Sequence, residues 1–121
     1  MATDLADCSA TDLLRLYRRG EASPVEAADA CLARIASLND RFGAFCFVDE
    51  MGARTAARAS AERWAGHRPI GLLDGVPTSI KDLILVEGWP TRRGSLTTDE
   101  DPPAAVDAPA QPFQCSVVDG R

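Results

Sequence analysis

The stretch Pro69-Ile70-Gly71-Leu72-Leu73-Asp74-Gly75-Val76-Pro77-Thr78-Ser79-Ile80-Lys81-Asp82, continued by Leu83-Ile84-Leu85-Val86-Glu87-Gly88-Trp89-Pro90-Thr91-Arg92-Arg93-Gly94-Ser95, decides how the chain is read. Glycine and proline cut it into turns, and residues 76–80 and 83–86 between them have the texture of short buried strands. At its centre stands Lys81, the one lysine against twelve arginines. A coding bias toward arginine and alanine accounts for the ratio but not for the position. Flanked by Ile80 and Leu83-Ile84-Leu85, Lys81 is expected to be at least partly buried. Burial disfavours an ammonium relative to the neutral amine that accepts protons, which is the condition for a lysine general base. The alternative is a strand-end lysine that lays its stem along the core and exposes its amine, or pairs with Asp82 or Asp74.

Upstream, Ser9 and Asp12 frame the start of a helix over Ala10–Arg19 whose apolar residues are Leu13, Leu14, Leu16 and Tyr17, with Gly20 ending it. Ser23-Pro24-Val25-Glu26 combines an N-cap, a first-turn proline and a capping-box glutamate. Val25, Ala28, Leu32 and Ile35 follow at helical spacing, predicting a second helix that stops near Asn39. Residues 44–48 read as a strand. Asp49 caps a third helix, Glu50–Ala65, with a thin apolar stripe of Met51, Ala57, Ala61 and Trp64 that suits close packing on a sheet. From Thr97 onward the chain turns polar, acidic and proline-rich, and an exposed, irregular tail is expected.

The 121 residues suffice for about one domain with a modest core. Net charge is −5; residues 99–121 carry −4 of it and the first 98 only −1. Neither part offers the basic field that a phosphate backbone requires, which speaks against nucleic-acid binding. Cys8, Cys31, Cys46 and Cys115 show no metal-type spacing, and the single His67 completes no Cys/His set. The expectation is buried thiols in a reducing compartment and no metal. The N-terminus lacks a basic region followed by an apolar run, and no long apolar span occurs, so a cytoplasmic protein away from the membrane is expected.

Taken together, Gly75-Val76-Pro77-Thr78-Ser79-Ile80-Lys81-Asp82 and Gly88-Trp89-Pro90-Thr91-Arg92-Arg93-Gly94-Ser95 resemble the amidase signature family. Ser23-Pro24-Val25-Glu26, Ile35, Asn39 and Gly43-Ala44-Phe45 look like that family's opening helix and first strand, so the resemblance covers about residues 9 to 110. It implies an α/β class, the N-terminal portion of an α/β/α fold with a mixed sheet, incomplete in this chain. It also implies a Ser, cis-Ser, Lys triad that cleaves a carbon–nitrogen amide bond without a cofactor. In that scheme Lys81 matches the catalytic lysine, which in its neutral form takes a proton through the cis-serine from the nucleophilic serine. Backbone amides of a glycine/serine loop stabilise the oxyanion. Gly75 and Pro77 would shape the approach to Lys81, Asp82 would be a supporting partner, and Thr91, Gly94 and Ser95 match a loop near the site. Ser79 matches neither family serine and takes no role.

The Gly-Gly-Ser-Ser-Gly-Gly-Ser-like loop that holds the family's two serines is not in these residues, and from about residue 111 the likeness ends. The organisation expected is therefore an N-terminal part of an amidase domain over 1–98 and an acidic, proline-rich tail over 99–121, the pattern of a shifted frame, a truncated gene or a mis-called end. Three readings follow. The chain encodes the lysine half of an amide-hydrolysing site, inactive alone; or it is a non-catalytic interaction module; or it is half of a split amidase or amidotransferase, completed by a partner chain supplying the serine loop. The substrate of the complete enzyme, a small-molecule or peptidyl amide or glutaminyl-tRNA, is selected by a pocket built largely from residues outside this sequence.

Overall fold

The computed structural model describes residues 4–98, 100–109 and 117–120. Helices α1 (Ala10–Arg19), α2 (Pro24–Phe42) and α3 (Glu50–Ala65) combine with strands β1 (Phe45–Val48), β2 (Thr78–Lys81) and β3 (Val117–Gly120), an α/β arrangement. Each helix begins where a side-chain oxygen takes over a backbone amide of the first turn. Ser9 Oγ accepts from Asp12 N at 3.2 Å, Asp49 Oδ1 accepts from Gly52 N at 2.8 Å, and Ser23 and Glu26 form a reciprocal capping box with Pro24 behind it.

α2 runs on to Phe42 rather than stopping near Asn39. Its stop is Gly43, which adopts a left-handed φ of 57°. Asn39 serves the next element instead: its Oδ1 accepts from Phe45 N at 2.8 Å and its Nδ2 donates to Phe45 O at 2.9 Å. The side-chain amide thus takes both backbone groups of the first residue of β1, as a neighbouring strand would.

The core is small and rich in alanine. α2 buries Pro24, Ala27, Ala28 and Leu32, and α3 packs on α2 with Ala53, Ala57 and Ser60 buried. Met51, expected on the inner stripe of α3, is 80% exposed, because it lies two residues before Ala53 and so about 200° around the helix. Leu13 and Tyr17 of α1 cluster with Ala27, and Trp64 packs against them with its ring 5.8 Å from that of Tyr17.

The two aromatics also hold the chain that leads into β2. Trp64 Nε1 donates to Asp74 O at 3.0 Å and Tyr17 Oη donates to Gly75 O at 3.0 Å. Burial pushes the Tyr17 hydroxyl well above its ordinary pKa, so it remains a donor. The Asp74 side chain, only 3% exposed, takes Arg63 Nε at 2.8 Å, Arg63 Nη2 at 2.6 Å, Ser60 Oγ at 2.8 Å and Ile70 N at 3.1 Å. Gly75 follows with φ of 84°, and a Cβ there would lie 2.5 Å from Ser60 Oγ and 2.7 Å from Pro24 Cγ. Both the conformation and the space at this position demand glycine.

The strands form one sheet in the order β1-β3-β2, with β3 antiparallel to β1 and parallel to β2. Thr78 pairs with Val117 and Lys81 with Gly120, while Phe45 pairs with Gly120 across an irregularity. Two expectations fail here. Residues 117–120, assigned to an irregular tail, form the central strand. The acid and proline content of the segment concealed a short extended run that satisfies the open edges of β1 and β2 at once. Residues 83–86 open on a turn and continue as irregular chain rather than a strand. Leu83 N and Ile84 N both fold back to Lys81 O, at 2.6 and 3.0 Å, and Leu83 is 54% exposed. Residues 110–116, with Cys115, lie outside the described residues; Cys8 and Cys31 are half-buried free thiols, and Cys46 is half-buried in β1.

The donors around Asp74 hold its carboxyl down from 3.8 to about 2, with Arg63 the largest cause. A depressed carboxyl pKa adds stability that is complete above the unfolded value and is lost as pH falls toward the folded one. Urea unfolding should lose about 2 kcal/mol from this source between pH 4 and pH 2. Asp74→Asn should be less stable at pH 7 and lack that portion of the acid dependence. Gly75→Ala should cost more than about 2 kcal/mol, since strain and collision add.

Candidate active site

β2 carries the lysine to the place where the site is built. Ile80 points into the core at 7% exposure, and by strand alternation Ser79 and Lys81 occupy the other face, where both are exposed. The expected partial burial of Lys81 is therefore corrected. It was inferred from apolar neighbours, but Leu83 and Leu85 are themselves exposed and form no cover. Nor do the two carboxylates considered as partners turn to the lysine. Asp74 is committed to Arg63 and Ser60, and Asp82 is turned inward.

Asp82 is 6% exposed and organises the second motif. Its Oδ1 accepts from Arg92 N at 2.6 Å, its Oδ2 from Gly94 N at 3.1 Å, and its backbone O from Arg93 N at 3.1 Å. Arg93 and Gly94 both adopt positive φ, 54° and 68°, which turns successive amides toward the carboxylate. Such a concave run of amides suits an anion, and here a side chain of the same chain provides it. Ser95 N closes the turn onto Arg92 O at 2.9 Å, Ser95 Oγ meets Thr97 Oγ1 at 2.7 Å, and Thr98 Oγ1 donates to Arg92 O at 2.8 Å. Thr91 enters this turn half-buried. Trp89 anchors the preceding segment by an edge-on contact with Phe47 of β1, ring centres 5.2 Å apart.

The structure thus joins Asp82 directly to Gly94 and places Thr91 and Ser95 beside that junction, while Gly75 and Pro77 set the entry of β2 from the other end. Lys81 stands between the two anchors, its backbone fixed on both sides and its side chain outside. Such an arrangement presents an amine at a defined place without enclosing it. Among the described residues no three His, Cys, Asp or Glu side chains gather as a metal site would require. The residue that sequence reading missed is Asp74, taken only as a potential partner of Lys81. The signal was Ser60, a polar residue in register with Ala53 and Ala57 on the buried face of α3, which required a buried partner.

Asp82→Ala should lower stability by about 2–3 kcal/mol in urea unfolding, since it leaves the part-buried amides of Arg92 and Gly94 without their acceptor and empties a buried position. Lys81→Ala, at an exposed position, should leave the unfolding midpoint within about 0.5 kcal/mol of the parent. The opposite order of effects would contradict these assignments.

Comparison with known proteins places this geometry. The Amidase family model matches residues 26–110. The chain is 45% identical over 102 residues to a glutamyl-tRNA(Gln) amidotransferase subunit from Salinispora tropica, covering 84% of this chain and 21% of that protein. It is 45% identical over 91 residues to the corresponding subunit from Myxococcus xanthus, covering 75% of this chain and 19% of the relative. Among solved structures, a vestigial protein complex described as revealing the origins of an s-triazine catabolic enzyme superposes with a TM-score of 0.84 at 25% identity. The match covers 93% of this chain and 26% of that one. A bacterial aryl acylamidase of the amidase signature enzymes superposes with a TM-score of 0.82 at 24% identity, over 94% of this chain and 25% of that one. The chain therefore spans about a fifth of the curated relatives it matches and about a quarter of these structural neighbours, and its fold is an incomplete α/β fold of the amidase signature type. On the match across residues 26–110, which takes in both anchors and the strand between them, this chain belongs to the amidase family.

Proposed function

We propose that this chain supplies the general-base lysine, Lys81, of an amidase-type site that hydrolyses a carbon–nitrogen amide bond or passes on its nitrogen. The observation that carries the reading is the placement of Lys81 at the end of β2, between the Gly75 anchor and the Asp82 junction, with its side chain facing outward. A base must reach the proton it removes, and an amine on a rigid strand end is placed for that role. In the complete site a serine attacks the amide carbonyl, its proton passing through a second serine to the neutral lysine. The acyl-enzyme is then resolved by water or ammonia. Lysine suits this step where arginine does not, because a guanidinium stays charged.

The 121 residues hold the base and not the serine loop. Both the nucleophile and the oxyanion donors must come from the remainder of an amidase domain. That remainder would also cover the exposed amine. The free thiols of Cys8 and Cys31 support a reducing, cytoplasmic setting.

The purified chain should show no amide hydrolysis above background. A chimera in which this chain replaces the matching segment of the Salinispora tropica relative should hydrolyse amides, and Lys81→Ala in that chimera should lower kcat by about 10²–10⁴-fold. Activity of the short chain that survives Lys81→Ala would overturn the reading.

A further inference from the structure

The thiols of Cys8 and Cys31 flank one packing contact, between the segment 4–9 and α2, that the amide chemistry does not use. Arg34 of α2 clasps that segment. Its guanidinium pairs with Asp4 Oδ2 and Asp7 Oδ1, and its Nη2 also donates to Asp7 Oδ2 at 3.0 Å. Leu5 and Cys8 of the same segment pack against the cluster of Leu13, Tyr17 and Ala27. On α2, Ala27, Cys31 and Arg34 follow at spacings of four and three residues, so they share one side of the helix. Cys8 therefore packs on the cluster that contains the residue one turn before Cys31, while its neighbour Asp7 holds the residue one turn after. Cys8 and Cys31 also line one cavity, together with Leu13, Val76 and Pro77. The Tyr17 hydroxyl, pushed up chiefly by burial, is pushed further by the charge that Cys31 and Cys8 would carry as thiolates, so both sulfurs lie close to the same phenol.

We propose that Cys8 and Cys31 are a redox pair, and that oxidised glutathione converts them to a disulfide that locks the segment 4–9 onto α2. Burial is the main cause that pushes the Cys31 thiol up, so Cys8 makes the first attack. The Cys8 thiolate attacks one sulfur of the oxidant, breaking its S–S bond and releasing one glutathione thiolate. Cys31 then gives up its proton and attacks Cys8 Sγ, expelling the second glutathione. Two protein thiols are oxidised, one glutathione disulfide is reduced to two thiols, and these regain the two protons that the protein loses. Both thiols are half-buried and so partly open to a small oxidant. The new bond closes a ring that contains all of α1 and the first two turns of α2. That ring has a mechanical consequence. The ion pairs of Arg34 are exposed and screened by salt, so they hold the segment weakly, whereas a covalent link restricts the unfolded chain and does not depend on ionic strength. In a reducing compartment the pair rests as thiols and closes when the glutathione pool is oxidised. The pair is independent of the role of Lys81, and either can fail alone.

The test equilibrates the full chain with mixtures of oxidised and reduced glutathione, blocks the remaining thiols with an alkylating agent, and maps tryptic peptides by mass. Cleavage after arginine places Cys8 in peptide 1–15, Cys31 in 20–34, Cys46 in 42–54 and Cys115 in 94–121, so every pairing is distinguishable. The expected product is a cross-link between peptides 1–15 and 20–34, lighter than the two separate peptides by two hydrogen atoms. Its equilibrium constant against glutathione should be at least about 10-fold larger in the native chain than in the same chain unfolded in urea, because folding holds the two thiols adjacent. The oxidised chain should unfold at higher urea than the reduced chain. Cys8→Ser and Cys31→Ser should each abolish both the cross-link and the difference in urea midpoint. Glutathione adducts on Cys8 and Cys31 without a cross-link, a preferred link to Cys46 or Cys115, or an equilibrium constant no larger in the native than in the unfolded chain would each overturn the pair. The comparison of native with unfolded parent needs no variant, so it decides the matter even if a serine substitution disturbs folding.

Discussion

The carboxylate of Asp74 is taken almost entirely out of water and given four donors from three residues. Two nitrogens of Arg63 and the Ser60 hydroxyl come from α3, and the Ile70 amide comes from the turn-rich segment after it. A buried charge is tolerated only when so enclosed, and removing one partner of such a pair typically costs about 3–5 kcal/mol. Everything that positions the lysine depends on it. The network ties the end of α3 to the loop, Trp64 holds the carbonyl of the same aspartate, and Tyr17 holds that of Gly75. The entry of β2 is thereby fixed against α1 and α3 together.

A second carboxylate performs the same service on the far side. Asp82 gathers the amides of Arg92 and Gly94 and so draws the second motif against the end of β2. Neither aspartate turns its carboxylate to Lys81; both act on the backbone that carries it. This division explains how an exposed side chain can have a defined origin. Its tether is rigid, and whatever layer covers the outer face of β2 decides its environment.

Local signals in the chain were reliable where the physics is local. Ser9, Ser23 and Asp49 start helices because a side-chain oxygen can reach a nearby amide whatever the remainder of the fold does. Gly20 and Gly43 end helices because their left-handed turn is a property of one residue. The combined glycine, proline, lysine and aspartate motif likewise announced the family, since its spacing encodes both anchors at once. Reading failed where a residue's fate depends on what lies across from it. Asn39 looked like a helix end and is a bridge to Phe45. The apolar residues after Lys81 looked like a strand, but Asp82 turns the chain there. Residues 117–120 looked like tail, yet two open strand edges recruit them.

By itself the sequence determined the three helices, the first strand and the family, because capping, periodicity and motif spacing are written within a few residues of one another. Tertiary structure alone decided that Asp74 belongs to Arg63, that Asp82 belongs to the 92–94 amides, and that Lys81 faces outward at the end of β2. Burial and pairing are properties of two surfaces that meet. No stretch of chain carries that information until its neighbour is in place.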